Sequence, residues 1–200
     1  LKGFVRNINM DVDFTDTFLD FRTIGIYTPY MQNNTLQLYL NGRVHGPVTH
    51  LQSDRLRIET PSKKTHIDLA ISIKGLPSIR KTVFDAQIFN LKSVSEETDR
   101  IISHFARKNK TILSKYLSNA KFLLKGNMLG SIYGFKADGA FSSTVGDIVF
   151  DVSSDIKGKK EGSAINGKVT THDVDLGKIL KVSNLGKISA DAKADVTIKG

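Results

Sequence analysis

The chain has no cysteine, no tryptophan and no long uninterrupted apolar run. Without cysteine there is no disulfide, no thiol nucleophile and no Cys-based zinc site. The composition suits an oxidising compartment, where a stray thiol is a liability, although many cytosolic proteins lack cysteine as well. No stretch approaches the roughly 20 apolar residues of a membrane-spanning helix, and no charged start followed by an apolar core marks a signal peptide. The pattern is already under way at Leu1 and still running at Gly200, which predicts an interior piece of something longer.

The groups that catalysis or metal binding need are also thin. The five histidines, His45, His50, His66, His104 and His172, include no i,i+4 pair on a predicted helix, so a zinc site has no support. Asp11, Asp13 and Asp16 imitate the start of a calcium loop, but Asp16 stands where that loop needs Gly and Arg22 where it needs Glu. Asp173 and Asp175 share a strand face by spacing and read as exposed carboxylates rather than an acid/base pair. The Gly-Lys pairs at 167–168, 177–178 and 186–187 lack the rest of a P-loop, and no Gly-x-Ser-x-Gly elbow occurs. The four-residue spacing of Gly126, Gly130 and Gly134 belongs to membrane helices, whereas this stretch alternates like a strand. Tyr133, Phe135 and Lys136 come closest to a base-stacking platform, but the phenylalanines otherwise follow the apolar face. The expectation is a non-enzyme with no metal, no cofactor and no nucleic-acid partner.

What is present is alternation. Three segments, TLQLYLNG at 35–42, NAKFLLKG at 119–126 and KADVTIKG at 193–200, each alternate polar and apolar residues and reach a glycine. After the first two glycines, GRVHGPVTHL and GNMLGSIYGF match again, Gly46 with Gly130, Val48 with Ile132, Leu51 with Phe135. The spacing is too long for a short solenoid repeat and suits a multi-strand unit. It predicts units at 1–42, 43–126 and 127–200, with a strand ending at each keyed glycine.

In chain order, strands are expected at 3–14, with Val5, Ile8, Met10, Val12 and Phe14 apolar and a bulge near Asn7, and then at 35–42, 43–49, 54–60, 65–74 and 82–91. Phe18, Leu19 and Phe21 are expected to open a short helix that ends by Pro29, with a turn at Asn33-Asn34. Ser93 or Ser95 caps a helical insert near 95–118, with Glu96 and Glu97 in its first turn and a break at 107–110. Strands follow near 120–125, 127–134, 136–144, 147–156 and 163–173, then one helical turn at Gly177–Val182 and strands through 187–199. The net charge is +9. Its densest cluster, KGKKEG at 157–162, reads as a Lys-rich hairpin tip, with a patch for anionic headgroups or nucleic acid as the other reading.

The ordered cores LYLNGRVHG and FLLKGNMLG, with DLAISIKGLP, GAFSSTVGDIVFDVSS and HDVDLGKIL, resemble the TamB-like members of the AsmA-like superfamily, in particular the long ones of Bacteroidota. The resemblance covers the chain almost throughout. It implies a mainly β fold, a curled, taco-like antiparallel sheet of tandem repeats whose apolar face carries phospholipid acyl chains. It further implies a periplasmic location within an inner-membrane-anchored protein, phospholipid transport between the two membranes, and outer-membrane protein assembly or secretion with a BamA-like barrel partner met through parts outside this segment. On that expectation Leu38, Leu40, Ile67, Leu69, Ile71, Ile73, Phe122, Leu124, Phe150 and Val152 line the groove. The alternative expectation is a closed-core scaffold that adds unfolded outer-membrane strands to a sheet edge near 54–60 or 187–199.

Overall fold

A strand whose residues alternate can bury one face only if neighbouring strands present matching faces. The computed structural model, described for residues 8–25, 34–76, 78–105, 113–131, 133–156 and 163–198, builds ten strands into one antiparallel sheet in which each pairs with its neighbours in sequence and which does not close into a barrel. They are β1 (Asn9–Asp20), β2 (Gln37–Pro47), β3 (His50–Glu59), β4 (His66–Lys74), β5 (Val83–Val94), β6 (Lys121–Ser131), β7 (Gly134–Ser143), β8 (Gly146–Ile156), β9 (Ser163–Asp175) and β10 (Lys187–Ile198). The helices are short: α1 (Phe21–Gly25), α2 (Ser95–Phe105), α3 (Leu113–Tyr116) and α4 (Leu176–Leu180). They follow β1, β5 and β9, so one helical connection recurs after every fourth strand, always at the same end of the sheet.

The mainly β fold and the helical insert after residue 94 agree with the sequence reading. Three details differ. Phe18 and Leu19 belong to β1, not to a helix, because they pair with Tyr39 and Leu38. β1 itself carries a bulge between Phe14 and Thr17, at a place the sequence reading did not mark. Residues 35–42 and 43–49 are not two strands but the single strand β2, and β6 likewise runs through Gly126. Gly42 and Gly126 therefore lie inside strands, and a unit boundary drawn after either one cuts a strand; the third keyed glycine, Gly200, lies outside the described residues. Gly42 has φ +132°, and a Cβ there would stand 2.3 Å from the Arg55 carbonyl oxygen. A Cβ on Gly126 would stand 2.1 Å from that of Asp138. Only glycine lets the strands approach so closely, and register shifts in the adjacent strands flank both positions. Finally, the stretch 54–60 offers no edge, since β3 is paired on both sides. Val5, the slip near Asn7, Pro29, Asn33, Pro77, the 107–110 break, Ile112, Ile132 and the Lys-rich 157–162 stretch lie outside the described residues.

Candidate functional site: an open apolar face

Directly paired residues of an antiparallel sheet project to the same face, so the register alone defines the two surfaces. One row crosses all ten strands: Thr17, Leu40, Ile58, Ile67 and Leu91 continue into Leu124, Phe141, Ile148, Thr171 and Ala190. The next row runs Phe14, Gly42, Leu56, Leu69, Ile88, Gly126, Gly139, Phe150, Val169 and Ala192. Ile71, Ala86, Met128, Ala137 and Val152 form part of a third, Ile73, Phe84, Gly130 and Phe135 part of a fourth. Among the described residues, no paired position on this face holds a charged residue or a histidine. All ten nominated side chains lie on it. Sequence reasoning passed over Phe14, Leu56, Ile58, Ile88, Leu91, Met128, Phe141, Ile148 and Val169, although the same alternation marks each of them.

The opposite face carries the charge. Arg43 donates to both oxygens of Asp11 at 2.6 Å, and Arg55 reaches Asp68 at 2.6 and 3.0 Å. The Arg55 guanidinium holds the Asp68 carboxyl below its usual range, and Arg43 does the same for Asp11. His66 Nδ1 lies 2.7 Å from Glu59 Oε1, and His50 Nε2 3.1 Å from Ser72 Oγ. His104 sits on α2, where burial and then the charge of Arg100 lower its pKa. Asp173 and Asp175 do not form a pair: Asp173 occupies a left-handed bulge position, and Asp175 caps α4 by accepting from the Lys178 N–H. Among the described residues no His, Asp or Glu group is arranged to hold a metal ion.

The apolar face is not sealed. Among the described residues only five apolar ones are buried, Leu36, Leu69, Ala120, Phe122 and Val174, against nine polar ones. Shielding nevertheless differs between the faces. In β7, Ala137 on the apolar face is half-buried while Ala140 on the other is exposed, so the difference comes from the face and not from side-chain size. Phe122 and Phe141 stack on the apolar face with ring centroids 5.1 Å apart. Ten strands at about 4.8 Å spacing and some ten residues of about 3.3 Å each span roughly 45 by 30 Å, beyond the 300–600 Å² of the largest patch on a typical monomer. Two hydroxyls on this face, Ser53 Oγ and Ser154 Oγ, are buried without a hydrogen-bond partner, although Ser53 is only 3% exposed.

Polar burial concentrates where α2 meets the sheet. Ser95 is fully buried; its hydroxyl donates to the Leu117 carbonyl and accepts from the Ala120 N–H at 3.1 Å. Asp99 accepts from the Leu113 and Ser114 amides at 2.9 and 2.8 Å and from the Ser114 hydroxyl at 2.6 Å. Thr65 and Ser93 share a 2.6 Å bond, Ser93 bonds Thr98, and Ser62 donates to Glu97 at 2.7 Å. α2 and α3 are thereby pinned to the end of the sheet, and among the described residues no helix covers its apolar face. No family model, no curated protein and no solved structure matches this chain.

Proposed function

We propose that the chain is a segment of a TamB-like protein that shields phospholipid acyl chains on its apolar face during transport between the inner and outer membranes. On this reading it works in the periplasm as part of an inner-membrane-anchored protein, supports outer-membrane protein assembly or secretion, and leaves any meeting with a BamA-like barrel to other parts of that protein. One observation carries the reading: the paired positions of an uncovered face, followed across ten strands, include no charge, while the other face is charged. An acyl chain gains about 0.8 kcal/mol for each methylene withdrawn from water, and the face loses exposed apolar area at the same time. Nothing in this role needs a nucleophile, a metal or a cofactor.

The experiment is organic extraction of the purified chain followed by lipid mass spectrometry, with Leu69→Arg and Phe150→Arg as variants and circular dichroism as the folding check. Stoichiometric phospholipid, absent from either folded variant, is the expected result, because a charge cannot be left unpaired among acyl chains. Lipid-free wild-type protein, or folded variants that keep their lipid, overturns the reading.

A second reading rests on β10, which among the described residues pairs on one side only and is exposed from Lys187 to Thr197. Such an edge can accept an unfolded outer-membrane strand by backbone pairing. A photocrosslinker at Ala192 that captures an alternating β peptide, with no effect of Phe150→Arg, would favour it.

A further inference from the structure

A cavity of about 610 Å³ opens at the helical end of the sheet. Lys63, Lys64, Lys92 and Lys121 line it together with Val94 and Leu123, and among the described residues no carboxylate does. None of these lysines makes an ion pair with a described residue. Lys92 stands opposite Leu123 and Val94 opposite Lys121, so the two lysines occupy diagonal positions roughly 7–8 Å apart on adjacent strands. Like charges so placed repel unless an anion joins them. Along the same row, Glu59 is engaged with His66, and Asp147 lies beyond Ser142 on β8.

The other two lysines are held on a rigid turn. The Thr60 amide donates to the Thr65 carbonyl at 3.1 Å, and the Thr65 amide to the Thr60 hydroxyl at 3.2 Å. The Thr65–Ser93 and Ser62–Glu97 bonds then tie the turn to β5 and α2. Lys63 has φ 55°, a left-handed conformation that glycine or asparagine adopts at lower cost. A charged side chain is kept there at the expense of local ease.

We propose that this cavity binds a phosphate-bearing anion. The four ammonium groups neutralise it, the Ser142 and Thr144 hydroxyls, which line the cavity and bond no described residue, donate to its oxygens, and Val94 and Leu123 contact the carbon that carries it. The site does not depend on the acyl-chain reading, since Lys92, Lys121 and Leu123 belong to the charged face, although Phe122 of the apolar face also borders the cavity. A lipid headgroup and a free phosphate compound share this chemistry.

The test is to titrate the protein with inorganic phosphate while following amide NMR resonances, and separately to measure co-sedimentation with vesicles of phosphatidylglycerol in phosphatidylcholine. Shifts confined to residues 63, 64, 92, 121, 142 and 144 are expected with phosphate if the source is a free compound. Vesicle binding without a phosphate response assigns a lipid headgroup instead. In either case Lys92→Gln with Lys121→Gln should weaken binding about 25-fold, from about fivefold per lysine, and Lys178→Gln with Lys187→Gln should leave it unchanged. Equal weakening by the second pair, or no response to either probe, overturns the site.

Discussion

The α2 junction and the apolar face bury opposite kinds of group. At the junction polar side chains are as deeply buried as apolar ones, Ser95 at 0% and Thr60 at 2% beside Ala120 at 1%, and each polar one is tied in by hydrogen bonds. On the face, aliphatic and aromatic side chains meet across ten strands yet mostly stay half-buried. A domain that closed on itself would reverse this, with apolar groups inside and hydroxyls at the surface. Here tertiary order at the end of the sheet comes from hydrogen bonds, and apolar area is left for something else to cover.

The largest effect should come from breaking the junction. Asp99→Ala leaves the Leu113 and Ser114 amides without their acceptor, and the cost should be about 2–4 kcal/mol, read as a fall in the urea midpoint. Met128→Ala, on the face, should cost only about 1 kcal/mol, because part of that side chain is already in water. Equal losses would mean that the face is a closed core and would end the contrast.

Two buried serines sharpen it further. Ser95 and Ser53 are 0% and 3% exposed, but the first makes several hydrogen bonds and the second none. Ser95→Ala should therefore cost about 1–3 kcal/mol, whereas Ser53→Ala removes an unsatisfied hydroxyl and should stabilise by up to about 1 kcal/mol. Opposite signs in thermal melts are the expected outcome. If Ser53→Ala destabilises instead, its hydroxyl has a partner in solution.

Most of the face was legible because period-two alternation survives any uncertainty in strand ends: Ile67, Leu69, Ile71 and Ile73 project together whatever their neighbours. Gly42 and Gly126 were misread for a physical reason. A glycine ending a strand and one bending it by close approach look alike until the partner strand is known. The same holds for β3, whose alternation says nothing of how many sides are paired. The junction was half visible. Ser95 with Glu96 and Glu97 announces a helix start, but Thr60, Thr65 and Ser93 look like surface residues, since their burial depends on contacts between residues 28 positions apart, as for Thr65 and Ser93. The lysine cavity was missed likewise: the sequence drew attention to 157–162, while Lys63, Lys64, Lys92 and Lys121 meet only through the turn at 60–65 and the β5–β6 register.

The smallest predicted effect separates carboxylates of the two regions by pH. Burial pushes the Glu97 carboxyl up, but bonds from Ser62, Thr60 and Arg100 outweigh it and leave the group below its ordinary 4.5. Glu96 lies lower too, chiefly because the Asn119 amide donates to it. A carboxylate depressed in the folded state adds stability that is complete above the unfolded value and is lost as pH falls through the folded one. Stability should thus hold down to about pH 4.5 and decline below it. Glu97→Gln should cost about 1 kcal/mol at pH 7 and progressively less toward pH 3, giving a shallower acid limb in urea titrations. Asp11 is also depressed by Arg43, but that pair is exposed and screened by water. Asp11→Asn should leave the limb unchanged, and a matching change there would place the acid-sensitive contact on the sheet instead of at the junction.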